Sequence, residues 1–274
     1  MPVENKGIGW KRFALVWKNI AAVYLIFLAL HWAIVPAQAG SNAWVWVKGA
    51  NDVDQFGVYG TLGVPDPANT PGARYGAALW RGVDGSIWLF GGNGVAASGA
   101  NGYLNDLWKF DPAAICWTWV KGANSVDQFG VYGRRGVADP ANTPGGRYGA
   151  VLWKAADGSI WLFGGNGVAA SGARGYLNDL WKFDPITANW TWIKGANVVD
   201  QFGLYGTQGV ADPANTPGGR YGAAAWTDAD GAMWLFGGNG VAASGANGYL
   251  NDLWKFDPLT ADWTRTTIRG RKAK

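Results

Sequence analysis

The sequence predicts an all-β protein assembled from repeated four-stranded antiparallel sheets. Three observations point to it. Trp44, Trp117, Trp190 and Trp263 stand 73 residues apart, so the chain is an internal repeat. Each repeat holds four short runs rich in aromatic and branched residues, bounded by Gly, Asp, Asn and Pro, which is how strands joined by turns read. No stretch shows the helical spacing of apolar residues, and 43 glycines leave little room for helices to compete.

The elements follow in order within one repeat. "RYGAALW" (residues 74–80) is rich in small residues and suits a crowded innermost strand. "VDGS" then signals a two-residue Asp-Gly hairpin turn. In "SIWLF", Ile87 and Leu89 point to one face and Trp88 and Phe90 to the other. Both faces are apolar, as a sheet sandwiched between two neighbours requires. Gly91 and Gly92 end this second strand, and "NGVAASGANGY" reads as a long loop. "NDLWKFDP" carries the third strand, with Asp106 after Asn105 just before it, where either side chain can bind nearby backbone N–H groups. "WTWV" is the outer strand, carrying Trp117 and Trp119 on one face.

Four antiparallel strands in about 47 residues, repeated, describe the blade of a β-propeller. Blades are expected at about 74–120, 147–193 and 220–266, with residues 44–47 as one extra N-terminal strand. Residues 91–112 recur at 164–185 with Arg174 in place of Asn101, and again unchanged at 237–258. Every Trp beyond residue 39 falls on one of five repeat positions, first met at Trp44, Trp46, Trp80, Trp88 and Trp108. Such identity, loops included, reads as recent duplication rather than as a mark of chemistry.

The pattern of Arg74, the pair Gly91–Gly92, Asp106 and Trp117 resembles the kelch motif. It is repeated at Arg147, Gly164, Gly165, Asp179 and Trp190, and at Arg220, Gly237, Gly238, Asp252 and Trp263. More narrowly, the chain resembles secreted bacterial kelch proteins of the galactose oxidase central-domain type. The resemblance implies a propeller whose arginines bond carbonyls near the double Gly. Two features depart from it. Ala77, Ala150 and Ala223 stand where kelch motifs often have His, and the period is 73 residues rather than about 50. The extra residues lie between blades, at 48–73, 121–146 and 194–219. Aromatic residues among Gly, Asn and Pro predict ordered Ω-type loops, all on one face of the propeller.

The first 39 residues read as a signal peptide. Lys6, Lys11, Arg12 and Lys18 precede an apolar run at 20–35, and Ala37 and Ala39 form a small-residue cleavage site, so cleavage is expected after Ala39. An uncleaved membrane anchor is the alternative. The propeller domain then occupies residues 40–266, and residues 267–274 form a basic tail. After cleavage the acids nearly balance Lys and Arg, which leaves no basic face for nucleic acid and no membrane segment.

Beyond the leader there is no His, because the only one is His31, and Cys116 is the only cysteine. The galactose oxidase resemblance would imply a copper site of His, Tyr and modified Cys, which cannot be assembled here. Zinc sites and His-based triads fall for the same reason. The double glycines lack the helix and Lys of a phosphate-binding loop. The D-x-D pairs Asp52–Asp54 and Asp228–Asp230 lack the further ligands of a calcium loop. The expectation is therefore a protein with no catalytic residues, cofactor or metal.

Binding remains, to a protein or a glycan, with the repeated loops between blades presented to the partner. The candidate residues are Tyr103, Tyr176, Tyr249, Phe129 and Tyr132, which combine apolar bodies with polar tips, together with Arg134 and Arg135, which break the repeat. A ring of Arg74, Arg147 and Arg220 around an anion is a further reading. A carbohydrate-active or lectin-like protein using Asp, Arg and Tyr on one face is the alternative function. Three blades fall short of the roughly four to eight that close a ring. An open arc, a homo-oligomer that completes the ring, and a shortened descendant of a longer protein all fit. Self-association is favoured, because an arc exposes a blade face at each end.

Overall fold

The computed structural model describes residues 44–266. The leader with its cleavage site or anchor, and the basic tail, lie outside them. The chain divides into two units, Met1–Val47 and Lys48–Lys274. In the first, the strand expected over residues 44–47 does not form. An outer strand exists by pairing with a third strand just before it, and no copy of "NDLWKFDP" precedes Trp44.

The second unit is all β among the described residues. Sheet 1 comprises β1 (Arg74–Tyr75), β2 (Ala78–Arg81), β3 (Ile87–Val95), β4 (Asn101–Asp111) and β5 (Cys116–Lys121). Sheet 2 comprises β6 (Arg147–Tyr148), β7 (Val151–Lys154), β8 (Ile160–Val168), β9 (Arg174–Asp184) and β10 (Asn189–Lys194). Sheet 3 comprises β11 (Arg220–Tyr221), β12 (Ala224–Thr227), β13 (Met233–Val241), β14 (Asn247–Asp257) and β15 (Asp262–Thr266). All pairs are antiparallel, and β3, β4 and β5 follow one another across sheet 1. The two short elements β1 and β2 both pair β3 in one register, Arg74 opposite Gly94 and Ala78 opposite Phe90. They are one inner strand broken at Gly76 and Ala77, so each sheet has the four strand positions expected of a propeller blade.

The break faces the double glycine. Phe90 pairs with Leu107 but Gly92 pairs with Leu104, so Asn105 and Asp106 oppose the single residue Gly91. This is a β-bulge, which re-aims side chains inside a sheet. Gly91 has φ of 66° and Gly92 of 107°, a region that L side chains avoid. A Cβ on Gly91 would also lie 2.7 Å from the Arg147 carbonyl oxygen of the next sheet. The double glycine therefore serves both the bulge and the approach of the neighbouring sheet.

Two turns differ from expectation. The Asp-Gly hairpin spans residues 82–86 rather than two residues. Gly85 alone has positive φ, and the two N–H bonds are Gly85 to Gly82 O and Gly82 to Ser86 O. Asp84 stays out of the left-handed region because its carboxylate accepts from the Ser86 N–H and hydroxyl. The long loop after Gly92 is mostly strand, for β3 runs to Val95 and β4 starts at Asn101. Only residues 96–100 turn, closed by Ala96 N–H to Ala100 O at 2.9 Å. Val95 and Ala96 are buried, so packing accounts for part of the identity in "VAASGA".

The sheets stack through their aromatic faces. Trp80, Trp88 and Phe90 of sheet 1 meet Ile160, Leu162 and Phe183 of sheet 2 in one buried cluster. The equivalent Trp153, Trp161 and Phe163 meet Met233, Leu235 and Phe256 of sheet 3 in another. Each such side chain contributes roughly 1.5–3 kcal/mol when fully buried. The backbones of adjacent inner strands also bond, Gly149 N–H to Gly76 O and Gly222 N–H to Gly149 O, both at 2.8 Å.

The inserted segments are ordered, but they do not stand out as display loops. Residues 48–73 fold on themselves through the Val58–Thr70 bridge and then lie along the outer strand of the sheet that follows them. Gly63 N–H donates to Trp119 O at 2.8 Å, and Asp66 bridges Trp117. Asn69 ties the segment down by donating to the carbonyls of Val64 and Trp117. The reason is the exposed edge of β5, whose backbone groups need partners. The other two segments repeat these bridges at Asp139–Trp190 and Asp212–Trp263.

Gly91→Ala is expected to destabilise the protein by more than the ~1–2 kcal/mol of left-handed strain, because the new methyl also meets backbone oxygens. Chemical denaturation checks this, with Gly99→Ala as the comparison: it carries the same strain at a turn with open space around it.

Candidate functional site

The bulge turns Asp106, Asp179 and Asp252 inward, each onto the Arg that opens the inner strand of its own sheet. Arg147 donates from Nη1 to Asp179 Oδ1 at 2.6 Å and from Nη2 to Oδ2 at 2.8 Å. Its Nε bonds the Gly145 carbonyl and its Nη1 also bonds the Gly164 carbonyl, so the guanidinium is clamped on both sides. Asp179 Oδ2 accepts two more bonds, from the Tyr132 hydroxyl and from Trp181 Nε1, both at 2.7 Å. Arg74 with Asp106, Tyr59 and Trp108 repeats the arrangement. So does Arg220 with Asp252, Tyr205 and Trp254.

The electrostatics follow from burial and pairing. Burial disfavours the charge on Arg147, but Asp179 outweighs it and holds the guanidinium above its ordinary pKa. Burial likewise acts against ionised Asp252, yet bonds from Arg220 hold its carboxyl below the usual range. The Tyr132 phenol is driven far up, by burial first and then by Asp179. Tyr205 is pushed up to about 12 for the same reasons. Asp179 accepts four bonds, three of them on Oδ2 and one on Oδ1. These pairs anchor structure, each carboxylate being committed to the Arg, Tyr and Trp of its own unit.

Several expectations are corrected here. Tyr132, offered as a binding residue, is buried with its hydroxyl on Asp179, because the inserted segment carries it into the sheet it covers. Of the two side chains offered for backbone N–H groups it is Asn105 that takes the role, accepting from Ala123 N–H and donating to Pro144 O, while Asp106 pairs with Arg74. The three arginines do not ring an anion, since each is committed to its own Asp. Arg135 lies over Trp192, 4.3 Å from the ring, and donates to Gly195 O. Phe129 and Arg134 are exposed. Asp228 closes a turn, accepting from the N–H groups of Asp230 and Ala232 and from Trp234 Nε1.

Tyr103, Tyr176 and Tyr249 gain partners that the sequence reading missed. Tyr75 pairs across the strands with Asn93, and Asn93 with Tyr103. Each sheet therefore presents a Tyr-Asn-Tyr row, repeated as Tyr148-Asn166-Tyr176 and Tyr221-Asn239-Tyr249. Neighbouring rows touch. Tyr148 lies 5.5 Å from Tyr75, 5.6 Å from Tyr103 and 5.4 Å from Tyr221, and Tyr176 stacks on Tyr221 at 5.8 Å. The result is a continuous aromatic and amide strip across three sheets. The available signal was the "RY" dipeptide in every repeat, which reads first as part of an inner strand.

Stacked four-position antiparallel sheets, each pinned by a buried Arg–Asp pair at a double glycine, define a propeller-type repeat protein whose sheets do not close among the described residues. The chain belongs to the kelch-repeat family: the family described as KLHDC2/KLHL20/DRC7 Kelch-repeats domain matches residues 137–274. Domains of this kind generally mediate protein–protein interaction. A solved structure titled "Structure of YjhT" is 20% identical, with a TM-score of 0.47, over 74% of this chain and 55% of that one. The chain thus spans about half of that structure's length. No curated protein matches it.

Asp179→Ala should cost ~3–5 kcal/mol by leaving Arg147 buried and unpaired. Lys182→Ala, which breaks the exposed pair with Asp157, should cost less than ~1 kcal/mol. Denaturant titration of both variants checks the contrast. The tyrosines predict a pH effect. The unfolded chain releases phenolic protons near pH ~10, whereas folded Tyr205 holds its proton to about 12. Stability should therefore be intact below pH ~10 and fall as pH rises further. Tyr205→Phe should flatten that fall in denaturation midpoints measured across pH; an unchanged slope would count against it.

Proposed function

We propose that the protein is a non-catalytic, secreted interaction module that binds a protein partner through its Tyr-Asn strip. The observation that carries this reading is the convergence of six tyrosines and three asparagines into three equivalent, touching rows. Tyr brings a large rigid contact area at little entropic cost, and Asn brings adaptable hydrogen bonding, a composition that suits a protein-binding surface. The kelch family supports the same class of function. The burial and mutual pairing of each Arg and Asp support the non-catalytic reading, and the basic-apolar leader with its Ala37–Ala39 site supports secretion.

A glycan is the second reading, favoured by the exposed rings of Tyr75 and Tyr249, which offer amphipathic faces to a sugar. One experiment separates the two. The purified protein is presented to an array of extracellular proteins and to a glycan array, beside the double variant Tyr148→Ala, Asn166→Ala. Residues of a central strip act as hot spots, so the variant should lose at least about tenfold in affinity while keeping its circular dichroism spectrum. Binding that survives in the folded double variant removes the strip from the function. Hits confined to the glycan array favour the second reading.

A further inference from the structure

We propose that two copies of this chain join head to tail, so that their six sheets close into one ring. The junction already exists twice within the chain. The face carrying Phe90 in sheet 1 covers the opposite face of sheet 2, and the face carrying Phe163 covers that of sheet 3. Among the described residues, the same face of sheet 3 and the opposite face of sheet 1 are left over. Phe90 and Phe163 are each 1% exposed, whereas Phe236 is 38% exposed. On the opposite face Ile160 and Met233 are 1% and 0% exposed, whereas Ile87 is 39% exposed. The two uncovered faces are thus the two halves of an interface that this sequence makes with itself.

The polar parts of the junction are present at both ends too. Between sheets 1 and 2, Asp127 N–H donates to Tyr103 O at 2.7 Å while its carboxylate accepts from Tyr103 N–H. Asp200 and Tyr176 repeat this between sheets 2 and 3. The end equivalents are Asp54 before sheet 1 and the exposed Tyr249 in sheet 3. Asp54 holds φ of 53°, beside 61° for Asp127 and 58° for Asp200, a left-handed conformation uncommon for a residue other than Gly. The end that would receive Tyr249 is therefore shaped in advance. Asn105 and Asn178 each reach a proline carbonyl in the inserted segment before the next sheet, at Pro144 and Pro217. Asn251 and Pro71 occupy the matching places at the two ends.

Closure selects the number of copies. The described residues of one chain contribute three sheets, so two copies contribute six, inside the range of roughly four to eight that propellers use, and three copies would exceed it. A two-fold axis along the ring makes both junctions identical and uses every end face, so the head-to-tail contact closes instead of growing into a fibre. The ring also extends the Tyr-Asn strip across both copies, because Tyr249 then meets Tyr75 of the second copy as Tyr176 meets Tyr221.

The test is the mass of the purified full chain by light scattering and sedimentation, together with two variants at residues exposed in the single chain. The wild type should have twice the mass of one chain. Ile87→Arg and Trp226→Arg should each be a folded single chain, because each spoils one half of both junctions. Mixed in equal amounts, they should return to a two-chain mass through the one junction whose halves are both intact. A wild-type single-chain mass, a mass above two chains, a variant that still pairs alone, or a mixture that stays apart would each overturn the proposal. A single-chain mass would point instead to cover by another part of the chain or by a different protein.

Discussion

The buried pair of Arg and Asp at the bulge is the contact on which the other features of each sheet depend. It fixes the inner strand to the third strand across the second, since Arg147 and Asp179 lie 32 residues apart. It takes the Tyr132 hydroxyl from the inserted segment and Trp181 Nε1 from its own strand. The double glycine is needed both to make room for it and to supply the carbonyl of Gly164. Burying two charges is costly, and such a pair adds little net stability over apolar side chains of the same volume. Here it fixes one arrangement of strands, bulge and loop at once, while the aromatic faces supply most of the attraction between sheets.

Because each sheet meets only its neighbours, the fold is a one-dimensional array. Two consequences reach function. Equivalent residues recur at fixed spacing, so rows that are small within one sheet add up to the continuous Tyr-Asn strip. Among the described residues, sheets 1 and 3 each keep one of the two faces that sheet 2 buries, which concentrates exposed apolar surface at two places.

Much of this was legible in the sequence. The 73-residue spacing and the alternation in "SIWLF" suffice for sheets with two apolar faces, and Arg74, Gly91, Asp106 and Trp117 suffice for the family. Partners that depend on long-range pairing were not legible. Tyr132 reads as a display residue because nothing local shows that residue 179 will turn inward, 47 residues away. That turn depends on a one-residue register shift between strands, of which the double glycine is the trace, but the glycines do not say which side chain on the facing strand is turned inward. Tyr75 was missed for a related reason, as its neighbour across the sheet, Asn93, is set by strand register rather than by sequence distance. The inserted segments were recognised as ordered, but their destination on the outer strand follows from unsatisfied backbone groups that no residue type announces.

Those segments carry a further consequence. Sheet edges invite uncontrolled strand addition, yet each 73-residue unit here brings the cover for its own outer strand, through Asp66, Asp139 and Asp212. A unit is therefore complete in its backbone bonding at the rim before any neighbour arrives. Whole units can be gained or lost by recombination without leaving a raw edge on those that remain, whereas a break inside a unit would part a strand from its cover. The 73-residue repeat thus holds a sheet and the cover of its outer edge as one piece.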